Sequence, residues 1–223
     1  MALSRPKHGF DSRWEHHPIP AEAALPSPFA LAFIDCEFGG LDPEQHDITE
    51  IAAIVTDDRL AEIVSAEWKV RARPERITAE AAAIHGFDPI LWKDAVPLRQ
   101  ALSELSALLP RGRTVLPAGQ NVRMDVQFLE RGYRRCGLAY PFDYHVIDLA
   151  TLYYAWSLVA GETPSTLSLR QAATTAGLVD GPVPHRALED ARLTLEAFRH
   201  FVGRLAPREP SDLRAPPAPP RTR

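Results

Sequence analysis

From Phe29 to Ile34 the chain reads FALAFI, an unbroken apolar run of strand length between Pro28 and Asp35. A short run that is apolar on both faces predicts a strand buried inside a sheet. After the polar loop GGLDPEQHD, Thr49 to about Thr56 reads as a second strand and Ala61 to Val70 as a third, with Asp57-Asp58 marking the turn between them. Connections this short join antiparallel neighbours, so the three strands form a meander. The period then changes. Thr78 opens a short helix that Gly86 closes, and Leu98, Leu102, Leu105 and Leu109 recur at helical spacing within 95–109. TVLPA is a short strand, 122–136 a helix and HVIDL another short strand, followed by helices at about 149–160, 166–176 and 187–205. A meander followed by strands alternating with helices predicts an α/β fold, a mixed sheet flanked by helices, with the Asp35 strand central and buried on both faces.

Composition bounds this picture. The chain has 223 residues, 45% of them hydrophobic, enough for the core of one ordinary domain. Residues 1–28 mix Pro, His, Arg and Trp without a sustained period, and 206–223 are rich in Pro and Arg. Both are read as disordered extensions around a domain at 29–205. A net charge of -4 argues against coating duplex DNA by bulk electrostatics. It leaves room for a nucleic acid held in a cleft, where bound cations reverse the local charge. Cys36 and Cys136 offer neither a zinc spacing nor a disulfide framework, and Cys36 is expected to point into the core, away from its acidic neighbours. No apolar run approaches the roughly 20 residues of a membrane span. The N-terminus lacks a signal-peptide core, so a cytoplasmic, membrane-free location is the default expectation.

The candidate chemistry lies in three separated places. Asp35 and Glu37 stand two apart at the end of the first strand, so they share a face and can share an ion. The same spacing at Asp42 and Glu44 is a decoy, because Pro43 breaks a strand. Asn121 and Asp125 stand four apart, on one face of the helix expected there. His185 precedes Asp190 by five residues, an offset of roughly 140° on a continuous helix. Pro182 and Pro184 resist an early helix start, which puts His185 in a loop and Asp190 in the first turns of the last helix. Each piece has an ordinary structural reading as well: strand-end solvation, a first-turn acid at a helix dipole, and a surface-loop histidine. Together, four carboxylates supply oxygen ligands for hard divalent cations, and a histidine titrating near neutrality can deprotonate water.

The runs IDCEFGGL, GQNVRMDVQFL and HRALEDA resemble the three motifs of the DEDDh 3′–5′ exonucleases in the ribonuclease H-like superfamily, a group that includes ribonuclease T, oligoribonuclease and the epsilon proofreading subunit of bacterial DNA polymerase III. The resemblance covers roughly residues 29–203, with support from TEIAAIV, AIHGF and the segment Asp148–Ala150. The tyrosine branch of the superfamily would carry Tyr where Arg186 stands. The resemblance implies a ribonuclease H-like sheet and two Mg²⁺ or Mn²⁺ ions. Asp35, Glu37 and Asp190 would hold one ion, Asp35 would bridge to the second, and Asp125 would complete the set partly through water. His185 would take a proton from the attacking water, and nucleoside 5′-monophosphates would leave one at a time from a single-stranded DNA or RNA 3′ end. Phe38, Gly39, His85 and Asn121 match substrate-side positions, with core packing an equal reading for Phe38 and His85. Gln120 replaces the His usual before the Asn, and Met124 the usual aromatic before the aspartate. The alternative function is a non-catalytic binding or docking subunit of a replication or repair complex with the same fold. The choice between DNA and RNA stays open, as does a homodimer or a replication or repair partner.

Overall fold

The computed structural model describes residues 27–181 and 185–205. The expected terminal extensions therefore fall almost wholly outside the described residues, as do Pro182 and Pro184.

The three-strand meander forms as expected. β1 (Phe29–Phe38), β2 (Ile48–Thr56) and β3 (Glu62–Lys69) pair antiparallel in chain order. The turn between β2 and β3 is made by Asp57, whose Oδ1 accepts from the Arg59 and Ala61 N–H groups. A short 3₁₀ turn at Pro74–Arg76, which no sequence signal had flagged, precedes α1 (Ala79–His85). The Thr78 side chain accepts from the Ala81 N–H at the start of α1, and Gly86 ends it in the left-handed region at φ 70. α2 (Leu98–Leu108) starts after Pro97 rather than at 95. β4 (Thr114–Gly119), α3 (Arg123–Arg135), β5 (Ile147–Asp148), α4 (Leu149–Ala160), α5 (Leu169–Thr175) and α6 (Ala187–Leu205) follow.

The sheet has five strands in the order β3-β2-β1-β4-β5, with β4 parallel to both β1 and β5. β1 is central, as its two-sided apolar run requires. Its alternation feeds two cores. Ala30, Ala32, Ile34 and Cys36 pack with Leu102 and Leu105 of α2 and Phe128, Leu129 and Tyr133 of α3. Phe33 faces the other layer, with Leu149 and Tyr153 of α4, Ala172 of α5, and Leu195, Phe198 and Phe201 of α6. Each layer closes with buried aromatics, which carry much of the apolar area removed from water.

Two irregularities shape the end of β1. Glu37 pairs with Glu50 but Phe38 pairs with Ile48, so Thr49 is an extra residue on β2, a bulge of the kind that re-aims side chains beside sites. Its carbonyl accepts from the Trp92 indole N–H at 2.8 Å and from the Val70 N–H at 2.8 Å, which anchors the bulge. Nearby, Gly119 passes so close to β1 that an added Cβ would lie 2.7 Å from the Ile34 carbonyl oxygen. Among the described residues, no helix is long and apolar enough to cross a membrane.

Candidate active site

The carboxyl ends of the parallel neighbours β1 and β4 point the same way, and loops leaving such ends are where α/β sheets hold ligands. Here they open a cleft of about 190 Å³ lined by Asp35, Cys36, Glu37, Phe38, Gln120, Asn121, Met124, Asp125, His185 and Asp190. All three sequence segments singled out for their chemistry meet in this one place. A larger hollow of about 500 Å³ lies among Arg71, Arg73, Arg131 and Arg135, where Asp47 pairs with Arg73 and Arg135. It holds none of the clustered acids.

Asp35 and Glu37 project from β1 toward the α6 layer, and Cys36 between them turns into the opposite core, as expected. Burial pushes the Cys36 thiol up, which suits a packed rather than reactive group. Its backbone has a further role that the side-chain pattern could not show: the Cys36 N–H donates to Asp125 Oδ1 at 2.9 Å. Asp125 on α3 is 6% exposed and so is held directly against the strand that carries the other acids.

The helix reading of Asn121 is corrected. α3 begins at Arg123 with Val122 as its cap, and Asn121 sits before it at φ 53, a left-handed conformation that Asn tolerates better than most residues. Asn121 and Asp125 line the same cleft, but through a sharp turn rather than a shared helix face. Asp148 stabilises that turn. Its Oδ2 accepts from the Val122 N–H at 3.1 Å, and its Oδ1 accepts from the Ala150 N–H at 2.8 Å, so one carboxylate caps both α3 and α4. Gln120 Nε2 donates to the Leu167 carbonyl at 2.7 Å, tying the same loop to the segment before α5. Met124 packs against the core, as a gap-filler should.

Asp190 is the fourth residue of α6, and His185 stands exposed ahead of the helix. Glu37, His185 and Asp190 each present a ligand atom within 4.8 Å of the others. Asp190 Oδ1 is buried and has no hydrogen-bond partner among the described residues. The electrostatics are those of a site built for a cation. Burial pushes Glu37 up to about 7, with Asp190 and Glu50 adding to the rise and Arg186 opposing it. Burial also raises Asp190 to about 7 and Asp125 to about 8. Asp35 is raised by burial first and then by Asp125, Asp190 and Glu37. Carboxyls crowded in this way resist ionisation unless positive charge is placed among them. Hard oxygen donors, one imidazole and an unpartnered buried carboxylate oxygen fit a divalent metal.

The remaining substrate-side positions divide. Phe38 lines the cleft and stacks on Phe128, with ring centroids 4.0 Å apart. Gly39 donates its N–H to the Asp47 carbonyl and accepts from the Thr78 N–H, and a side chain there would run into the Arg76 carbonyl. His85 is 5% exposed, and its Nε2 lies 3.2 Å from the Phe38 carbonyl oxygen. These two brace the wall behind Phe38 rather than lining the cleft. Glu50, fully buried opposite Glu37, was passed over in the sequence, where it read as one polar residue inside an apolar strand.

A mixed five-stranded sheet flanked by helices, with acids and a histidine gathered at the end of its central strand, has the ribonuclease H-like fold. Residues 32–198 match the RNase_T family, described as Exonuclease. The chain is similar to the oligoribonuclease of Dichelobacter nodosus, at 30% identity over 78% of this chain and 94% of that protein. It is also similar to the oligoribonuclease of Pseudomonas entomophila, at 27% identity over 79% and 96%. Among solved structures it superposes on the nuclease domain of 3′hExo, a DEDDh family member bound to rAMP, with a TM-score of 0.63, 16% identity and coverage of 79% and 92%. It also superposes on E. coli exonuclease I in complex with a dT13 oligonucleotide, with a TM-score of 0.64, 18% identity, and coverage of 77% of this chain and 40% of that one. The chain thus spans about two-fifths of exonuclease I, and the structural likenesses show the fold. The chain belongs to the DEDDh 3′–5′ exonuclease family and is a hydrolase of that class.

Proposed function

We propose that this exonuclease removes nucleotides one at a time from the 3′ end of single-stranded nucleic acid, with Asp35, Glu37, Asp125 and Asp190 as metal ligands and His185 as proton acceptor. The observation that carries this reading is the convergence of those five side chains, from three separated segments, on one open cleft. Two Mg²⁺ or Mn²⁺ ions held by the four carboxylates would supply Lewis acidity and offset the charge that builds on the phosphate.

The chain's own residues account for the rest. Exposed at the cleft mouth, His185 accepts the proton of the attacking water, a task suited to imidazole at neutral pH. The oxygen of that water bonds to phosphorus, the P–O3′ bond breaks, and the leaving O3′ takes up a proton from solvent. The shortened strand keeps a 3′-hydroxyl and the departing nucleotide carries a 5′-phosphate. Phe38, held rigid by its stack on Phe128, gives the terminal base an apolar surface. Asn121, fixed by its turn, offers an amide at the same wall. The similarity to oligoribonucleases over nearly their full length favours short single strands as substrates.

The test is a gel time course with 5′-labelled single-stranded DNA and RNA of matched sequence, short and long, with Mg²⁺, Mn²⁺ or EDTA. A metal-dependent ladder shortening from the 3′ end is expected. Internal cuts, or no cleavage by folded protein with metal bound, would overturn the proposal.

A further inference from the structure

His185 is held in an unusual way. It is exposed, and among the described residues no hydrogen bond holds its imidazole, so the backbone that follows it bears directly on its placement. The next residue, Arg186, reaches back into the sheet. Its Nη2 donates to Glu50 Oε1 at 2.9 Å and its Nε to Glu50 Oε2 at 3.4 Å, a forked pairing that fixes direction as well as distance. The Ala187 N–H, first in α6, lies 3.4 Å from the same Oε2. The Arg186 carbonyl in turn accepts from the Asp190 N–H at 2.9 Å. A single carboxylate with 0% exposure thus grips the residue after His185 and the first turn of the helix that bears Asp190.

The charge arrangement explains why an acid sits there despite four other carboxylates nearby. Glu50 faces Glu37 across the β1–β2 ladder, where an uncompensated negative charge would be costly. The Arg186 guanidinium compensates it, and the positive end of α6 adds to the effect. A lysine would match the charge but not the fork. Glu50 thus anchors the loop from inside the sheet, beside Glu67 of β3, whose carboxyl is raised by burial and by Glu50 and lowered by Arg186.

We infer that Glu50 and Arg186 form a positioning pair that sets His185 over the acidic cleft. The pair touches no reacting atom; it acts through the histidine, and the inference rests on His185 being the proton acceptor. An anchor one residue away matters because misplacing a reacting group by about 1 Å can cost on the order of 100-fold in rate.

The test compares wild type, R186Q, R186K, E50Q, H185A and the double variants R186Q/H185A and E50Q/H185A. Turnover and KM are measured on a 5′-labelled single-stranded oligonucleotide with Mn²⁺, beside melting temperature and Mn²⁺ affinity. Arg186→Gln and Glu50→Gln should each lower kcat roughly 10- to 100-fold, the scale on which groups orienting metal-site residues act, with KM unchanged. Arg186→Lys should restore only part of the loss. In the H185A background neither change should lower kcat by more than about twofold, because residues acting as one unit do not add. If Glu50→Gln or Arg186→Gln does not fold, Arg186→Lys decides the matter, since it keeps a positive charge opposite the buried Glu50 and removes only the fork, on a side chain that is 40% exposed. Wild-type kcat in R186Q beside a slow H185A would overturn the pair while leaving the proton acceptor in place. A change in KM alone would make Arg186 a substrate contact, and losses that multiply with those of H185A would mean independent action; either overturns the inference. Wild-type kcat in H185A would overturn the proton-acceptor reading and this one together.

Discussion

The backbone N–H of Cys36 donates to Asp125 Oδ1 at 2.9 Å, joining residues 89 apart in sequence. This bond places the second motif's carboxylate directly behind the D-x-E pair. It also sets up a conflict, because an acid raised to about 8 by burial is a poor resident of a metal-free core.

Asp125→Asn should expose that conflict. The amide oxygen can still accept from Cys36, while the buried charge disappears. In EDTA at pH 8.5 the variant should melt higher than wild type, by about 2–4 °C for each kcal/mol relieved in a domain of this size. Exonuclease activity should fall at the same time. A lower melting temperature in EDTA would mean that the carboxylate stabilises the fold even without metal.

The pH dependence follows from the same groups. Glu37 and Asp190 at about 7, and Asp125 at about 8, all lie above the roughly 4 of unfolded carboxyls. Folded protein therefore binds more protons than unfolded protein between about pH 4 and 8, and stability falls as pH rises through that window. Melting temperature in EDTA should drop from pH 5.5 to 8.5. Mg²⁺ should raise it, most at the alkaline end. A flat or rising profile in EDTA would contradict the electrostatic account of the cleft.

Asp35→Ala and Asp190→Ala should each abolish hydrolysis while leaving the fold intact. Titration with Mn²⁺ followed by electron paramagnetic resonance should show weakened or lost binding in both. Wild-type turnover in either variant would remove that residue from the ligand set.

Gly39→Ala tests packing rather than chemistry. The new methyl would run into the Arg76 carbonyl, in a segment that also carries the Thr78 N–H bond to Gly39. Overpacking of this kind costs about 1–3 kcal/mol. Melting temperature should fall in metal-free and metal-bound protein alike, and a neutral outcome would show that the 73–78 segment yields easily.

Much of this was legible in the sequence where one residue type has one good explanation. The FALAFI run had to be a central strand, and Thr78 and Gly86 bracketed α1 because cap and left-handed glycine are local chemistry. That Asp35, Glu37, Asp125, Asp190 and His185 would meet in one cleft was legible because each stands in a short local motif. What escaped depends on backbone detail or on partners far away in sequence. Asn121 looked helical because nothing in GQNVRMD announces a left-handed turn followed by a late start at Arg123. The Cys36–Asp125 bond uses an amide, which every residue except proline has. Glu50 acquires meaning only when Arg186, 136 residues away, folds onto it.

The alternation along β1 has a mechanical consequence. Asp35 and Glu37 belong to the layer of α6, whereas Asp125 belongs to the layer of α3, and each layer has its own apolar core. The cleft is a seam between two packed layers that share β1 and are pinned by Asp148 and by the Cys36–Asp125 bond, and its geometry reads out their alignment. A small slip of one layer over the sheet would separate the acids while both cores stayed dry. Under mild denaturant, activity should therefore fade before fluorescence or circular dichroism registers any unfolding, making the enzyme a gauge of its own interlayer alignment.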